Sequence, residues 1–174
     1  MKKIFTLCVV ALVALSMSAK PYTNSIGIVG GSGIGVQFKT MVMDNFTIIE
    51  EFGYLGSLCA AGAGGQGAAM LGAVDNLVLA YQAKGAEGQG IELDWFVGGQ
   101  LKAGYTGQQG FHSGIIGLGA AAGIEAIMKN APTAFSFDFR PGYGCVLSAN
   151  PWMGGVSAGH VFDWTLNLGV RYKF

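Results

Sequence analysis

Phe162-Asp163-Trp164-Thr165-Leu166-Asn167-Leu168-Gly169-Val170-Arg171-Tyr172-Lys173-Phe174 alternates apolar and polar residues without a break. A period of two sends successive side chains to opposite faces of a strand. This stretch is therefore one strand with an apolar face, Phe162 to Phe174, and a wet face, Asp163 to Lys173. Soluble strands also alternate, but seldom for so long, and seldom with an aromatic at the end. The fold must supply an environment that suits both faces.

The other end of the chain reads as a secretory leader. Lys2 and Lys3 form a positive region, and Ile4 to Leu15 is apolar apart from Thr6. Small residues follow up to Lys20; cleavage after Ser18 places Ser16 at the minus-three position, and cleavage after Ala19 places Met17 there. The run is too short for a membrane-spanning helix, which takes about 20 residues. Leu7 before Cys8 argues against a lipid attachment site. We expect residues 1–19 to be a signal peptide and 20–174 to be one domain.

Composition narrows the class. Hydrophobic residues make up 51% of the chain, charged residues 11%, and glycines number 30. Removing Lys2 and Lys3 from the ten basic residues leaves eight against ten acidic ones. Near-neutrality without a basic stripe argues against nucleic acid. So few charges suit a surface that does not face only water, yet no apolar run after the leader is long enough for a transmembrane helix. The remaining way to satisfy every backbone group in lipid is a closed β-barrel.

Eight strands are legible. They run over Ser25 to Gly30; Ile34 to Met43; Phe46 to Leu58; a segment ending Leu77, Leu79, Tyr81; Leu93 to Tyr105; Gly114 to Met128; a segment through Phe135, Phe137 and Phe139; and Phe162 to Phe174. Asp44-Asn45 and Asn130-Ala131-Pro132 signal turns. Lys84 to Gly90, Thr106 to Ser113 and Ser148 to Gly159 read as connections. Three alternatives compete: Gly30 to Gly33 as a bulge, which makes the count odd; Ile115 to Met128 as a buried helix, which its glycines oppose; and a secreted soluble β-sandwich. On the third strand the adjacent Glu50 and Glu51 force a choice, and we expect Glu51 inside and Glu50 near the interface.

These stretches resemble the small eight-stranded outer-membrane β-barrels of Gram-negative bacteria, the OmpA/OmpX-like class. The likeness rests on Ser25-Ile26-Gly27-Ile28, Gly33-Ile34-Gly35-Val36-Gln37-Phe38-Lys39, Asp94-Trp95-Phe96-Val97-Gly98-Gly99, Phe135-Ser136-Phe137-Asp138-Phe139-Arg140-Pro141 and Leu168 to Phe174. It implies an all-β, antiparallel transmembrane barrel in the cell outer membrane, in contact with outer-membrane lipid. It also implies that Tyr172 and Phe174 are the insertion signal read by the barrel-assembly machinery. The class carries several unrelated functions, so the resemblance fixes architecture and not activity.

Inside such a barrel we place Gln37, Lys39, Glu51, Asp94, Gln100, Lys102, Glu125, Asp138, Arg140, Arg171 and Lys173. An eight-stranded barrel is only wide enough for side chains to fill, so opposite charges should pair and plug it; Lys102 and Glu125, on adjacent strands, are candidates. A narrow channel is the competing reading, since Gly98, Gly99, Gly117, Gly119 and Gly123 leave inward space. A third is a lipid-modifying enzyme, from the set His112, Ser113 and Glu125, which departs from the outer-membrane lipid A deacylases in spacing and lacks the following Asn. We expect no catalytic, metal or cofactor site. His160 has no ligand-spaced neighbour in sequence, and Cys59 and Cys145 could pair in an oxidising compartment but, on strands at opposite sides of the ring, read as two free, partly buried thiols. Trp95, Tyr105, Tyr143, Trp164 and Tyr172 would form interface girdles. The outer loops would carry any extracellular ligand, of unknown identity.

Overall fold

The computed structural model describes residues 23–31, 33–55, 72–108, 111–150 and 155–174. The expected leader, residues 1–19, and Cys59 lie outside the described residues. Eight strands follow in chain order: β1 (Asn24–Gly30), β2 (Gly33–Met43), β3 (Phe46–Leu55), β4 (Gly72–Glu87), β5 (Ile91–Gln108), β6 (Phe111–Met128), β7 (Thr133–Asn150) and β8 (Gly155–Lys173). Each pairs antiparallel with the next, and β8 pairs with β1, so the sheet closes on itself. The run Ile115 to Met128 is strand throughout, because its glycines and alanines alternate faces in register with β5 and β7.

The register fixes the geometry. Stepping sideways from Gly30 through Ile34, Tyr54, Ala73, Tyr105, Gly114 and Leu147 arrives at Ala158 on β8. Gly30 itself pairs with Leu168. One circuit thus shifts the ladder by ten residues, which in an eight-stranded barrel tilts the strands by about 40°. Each residue then advances roughly 2.5 Å along the barrel axis.

Gly30 to Gly33 is a tight turn and not a bulge. Gly31 donates its N–H to the Gly33 carbonyl at 2.9 Å, and the strand count stays even. Three connections are shorter than their sequence suggests. β4 continues to Glu87, and Gly90 takes the left-handed conformation (φ 87°) that lets Gly88 bond Ile91 and close the turn. β5 and β6 extend through most of Thr106 to Ser113, and β8 begins at Gly155. Backbone pairing wins over the polar, glycine-rich composition of these stretches because the neighbouring strand offers a complete ladder.

The core is inverted relative to a soluble protein. Ile34 is 72% exposed and Leu168 66%, while Arg140, Arg171 and Lys39 are each 1% exposed. Phe135, Phe137 and Phe139 point out; Ser136, Asp138 and Arg140 point in. One aromatic belt circles the end that carries the β2–β3, β4–β5 and β6–β7 turns, with Phe46 against Tyr81 at 5.7 Å, Tyr81 against Trp95 at 5.9 Å, and Tyr172 on β8. The second lies ten residues farther along β5 at Tyr105, with Tyr143 directly facing Phe162. That separation is about 25 Å, the height of the apolar band of membrane barrels.

Candidate functional site

The lumen residues fall into three layers. The layer nearest the turns centres on Glu125 of β6. It accepts hydrogen bonds from Lys39 Nζ of β2, from Arg171 Nη2 of β8 at 2.6 Å, and from Gln82 Nε2 of β4 at 3.1 Å. The Gln82 amide also donates to Asp94 Oδ2 of β5 at 2.8 Å. Below the ammonium lies the Phe96 ring, with Lys39 Nζ 5.8 Å from its centroid. Five strands therefore converge on one layer whose central triad, Lys39, Glu125 and Arg171, is fully buried, and each charge in that triad has an opposite partner.

Gln37 joins this layer to the next. Its Oε1 accepts from Arg171 Nη1, and its Nε2 donates to Glu51 Oε2 at 3.4 Å. Glu51 also accepts from Arg140 Nη1 at 2.7 Å. The guanidinium grips Asp138 with two bonds, Nε to Oδ1 at 2.6 Å and Nη2 to Oδ2 at 3.1 Å. These two residues lie two apart on one strand, so they share a face, and Asn167 adds a bond to Asp138 Oδ1 at 2.8 Å. Bidentate geometry of this kind offsets part of the desolvation of a buried pair.

The third layer, toward the long strand ends, is thinner. Lys102 pairs with Asp163, whose side chains keep 10% and 15% of their exposure, against 0–2% for the pairs of the Glu125 layer and the Arg140–Asp138 pair. Around it stand Gly117, Gly142 and Gly144. A cavity of about 20 Å³ separates this layer from Arg140, lined by Glu51, Asn76, Gln100, Lys102 and Thr165 among others. Its volume suits one water. Asn76 Oδ1 and both amide atoms of Gln100 have no protein partner among the described residues.

Several expectations need correcting. Lys102 and Glu125 face inward on adjacent strands but do not meet: Lys102 faces Gly117 in the ladder, whereas Glu125 faces Asp94, eight residues farther along β6. Asp163, which the alternation of β8 places inside, takes Lys102 instead. Glu51 is inside, but Glu50 is not at the interface. It faces out, four residues along β3 from the belt residue Phe46, with Asp75 diagonal to it on β4 (Glu50 faces Leu77, Phe52 faces Asp75). Two like charges at that spacing repel, and they are the only charged side chains pointing outward between the belts among the described residues. Phe96 and Gln82 are lumen residues not singled out above, although the two-residue period assigns both to the inner face; Asn167 lies inside, on the wet face of β8.

The triplet His112, Ser113 and Glu125 is not assembled. His112 faces outward and stacks on Tyr105, centroids 5.9 Å apart, its Nδ1 bonded to the tyrosine hydroxyl. Ser113 faces inward and bonds Ser148 at 2.8 Å. Glu125 lies at the other end of the lumen. Conversely, His160 does have a neighbour: Cys145 stands directly opposite it, with Sγ 3.6 Å from Nδ1. Cys145 is free and exposed, not partly buried. The terminal strand closes the barrel through Tyr172 and Arg171 against β1, and Phe174 N–H bonds the Asn24 carbonyl.

A sealed cylinder that is apolar outside and charged inside is a transmembrane β-barrel, since only such closure satisfies backbone groups in lipid. The barrel resembles a major outer membrane protein of Thermus thermophilus with a TM-score of 0.54, covering 89% of this chain and 100% of that one at 13% identity. Neisserial surface protein A gives a looser match, TM-score 0.43, over 87% of this chain and 93% of that one at 14% identity. At these identities the likeness is one of fold. No family model and no curated protein sequence matches the chain.

Proposed function

We propose that this chain is a structural or surface-interaction protein of the outer membrane, a sealed cylinder that holds its longer loops on the cell exterior. The observation that carries this reading is the layer of Lys39, Glu125, Arg171, Gln82, Asp94 and Phe96. It spans the lumen from five strands and leaves its central charges fully buried. Opposite charges at bonding distance in a barrel of this width occupy the space an ion would need. Both fold neighbours are outer membrane or surface proteins by name, which agrees with the location; the terminal strand, ending in Tyr172 and Phe174, would then be the element that the assembly machinery reads.

Incorporation into planar bilayers tests the reading. We expect no stepwise conductance from purified, folded protein. Reproducible unitary currents would replace it with a narrow-channel function, which the small residues and the cavity beside Lys102 favour in the outer half of the lumen only. A lipid-modifying activity has weaker support, because His112, Ser113 and Glu125 are apart; a change in the lipid A mass profile on overexpression would reinstate it.

A further inference from the structure

Two hairpins of the barrel repeat one outward-facing arrangement, and the difference between them points to chemistry. On β5–β6, Tyr105 faces Gly114 and Gly107 faces His112, so the tyrosine and histidine are diagonal neighbours and stack at 19° between ring planes. On β7–β8, Tyr143 faces Phe162 and Cys145 faces His160, and the same diagonal pair stacks at 11° with centroids 5.7 Å apart. The position opposite histidine is glycine in the first hairpin and cysteine in the second. His112 Nδ1 is taken by the Tyr105 hydroxyl, whereas His160 Nδ1 meets Cys145 Sγ at 3.6 Å.

We infer that Cys145 and His160 form a nucleophile–base pair, and that Cys145 is a site of thiol–disulfide exchange with small disulfides reaching the loop-end surface of the barrel. Three observations converge. The thiol is free and exposed, so a reagent reaches it. The imidazole nitrogen lies within hydrogen-bonding distance of the sulfur, as a base must to take its proton. The Tyr143 ring stacks on the imidazole, centroids 5.7 Å apart and 11° between planes, a contact that restricts how far the base can turn away from the thiol. The pair stands two residues beyond Tyr143, at the loop-end margin of the apolar band.

In the exchange, Sγ attacks one sulfur of R–S–S–R while its proton passes to His160 Nδ1. The new Cys145–S–SR bond forms as the old S–S bond breaks, and the departing thiolate takes up the proton from the imidazolium as RSH. One disulfide is consumed and one formed, so no other oxidant enters.

The test is the rate of adduct formation at Cys145 in folded, detergent-solubilised protein. The probe is an aromatic disulfide, and the reaction is followed by mass spectrometry of the peptide carrying the residue. We expect His160→Asn to slow the reaction about tenfold or more near neutral pH. The gap should close at alkaline pH, where the thiol ionises unaided. His112→Asn, which alters the matching pair without a cysteine, should leave the rate unchanged. The pairing is overturned if Cys145 forms no adduct, if His160→Asn reacts at the parent rate, or if the gap persists at alkaline pH. The heat-dependent mobility of each variant checks that the barrel is intact.

Discussion

The two halves of the lumen are built from the same strands yet are closed in different ways. In the half near the turns, long side chains meet: Lys39, Arg171, Gln82 and Phe96 surround Glu125, and these five are exposed by 2% or less. In the half near the loops, one partly solvated pair, Lys102 and Asp163, stands among glycines. The difference teaches that closure here is a matter of side-chain length at inward positions, because the strands and their spacing are common to both halves. It also ranks the charges. A carboxylate that serves two buried cations cannot be removed cheaply, whereas a pair already in contact with water can.

The largest effect should therefore come from Glu125→Leu, which strands Lys39 and Arg171 without their shared partner. We expect a loss of about 3–5 kcal/mol in reversible unfolding from detergent or bilayers. Lys102→Met is the matched change in the other half, and the same measurement should give no more than about 1 kcal/mol. Equal costs would break the comparison.

Gly123→Ala probes packing in the closed half without removing a charge. A Cβ there would come within 2.6 Å of the Phe96 ring, the Asp138 side chain and the Phe137 carbonyl. We expect about 1–3 kcal/mol of destabilisation, read in the same way. A neutral result would mean that Phe96 does not fill the lumen as described.

On the outer wall, Glu50→Leu should stabilise the inserted barrel by about 1 kcal/mol, since it removes a carboxylate from the apolar band beside Asp75. Destabilisation would show that Glu50 has a partner in the membrane.

The smallest effect belongs to the β4–β5 turn. Hydrogen bonds from Lys129 and Lys84 hold the Glu87 carboxyl down to about 2, from its ordinary 4.5. Its folded value is depressed, so its contribution is present above about 4.5 and fades as the pH falls toward 2. Thermal midpoints of Glu87→Gln and the parent should differ slightly near neutral pH and converge in acid. The group is exposed, so solvent screens the pair and the difference is small.

The architecture was legible because it depends on parity, and parity survives without knowing any partner. Phe162 to Phe174 and Phe135 to Arg140 each declare two faces, and both faces are where the alternation puts them. Strand ends were less legible: Lys84 to Glu87 and Thr106 to Gln108 look like loop in isolation, but a neighbouring strand supplies their ladder. Pairings across the lumen were not legible at all. Which cations meet Glu125 depends on a ten-residue shear that appears only when the ring closes, whereas Lys102 misses Glu125 because the β5–β6 register sets them eight residues apart, and Asp163 meets it instead. Cys145 and His160 stayed hidden for a more local reason: fifteen positions apart in sequence, they become neighbours only through the β7–β8 register.

The most direct test of the barrel's inside-outside order is carbene labelling from the lipid phase, mapped residue by residue along β7. We expect adducts on Phe135, Phe137 and Phe139 and none on Ser136, Asp138 or Arg140. Adducts on Asp138 and Arg140 with the phenylalanines spared would contradict it.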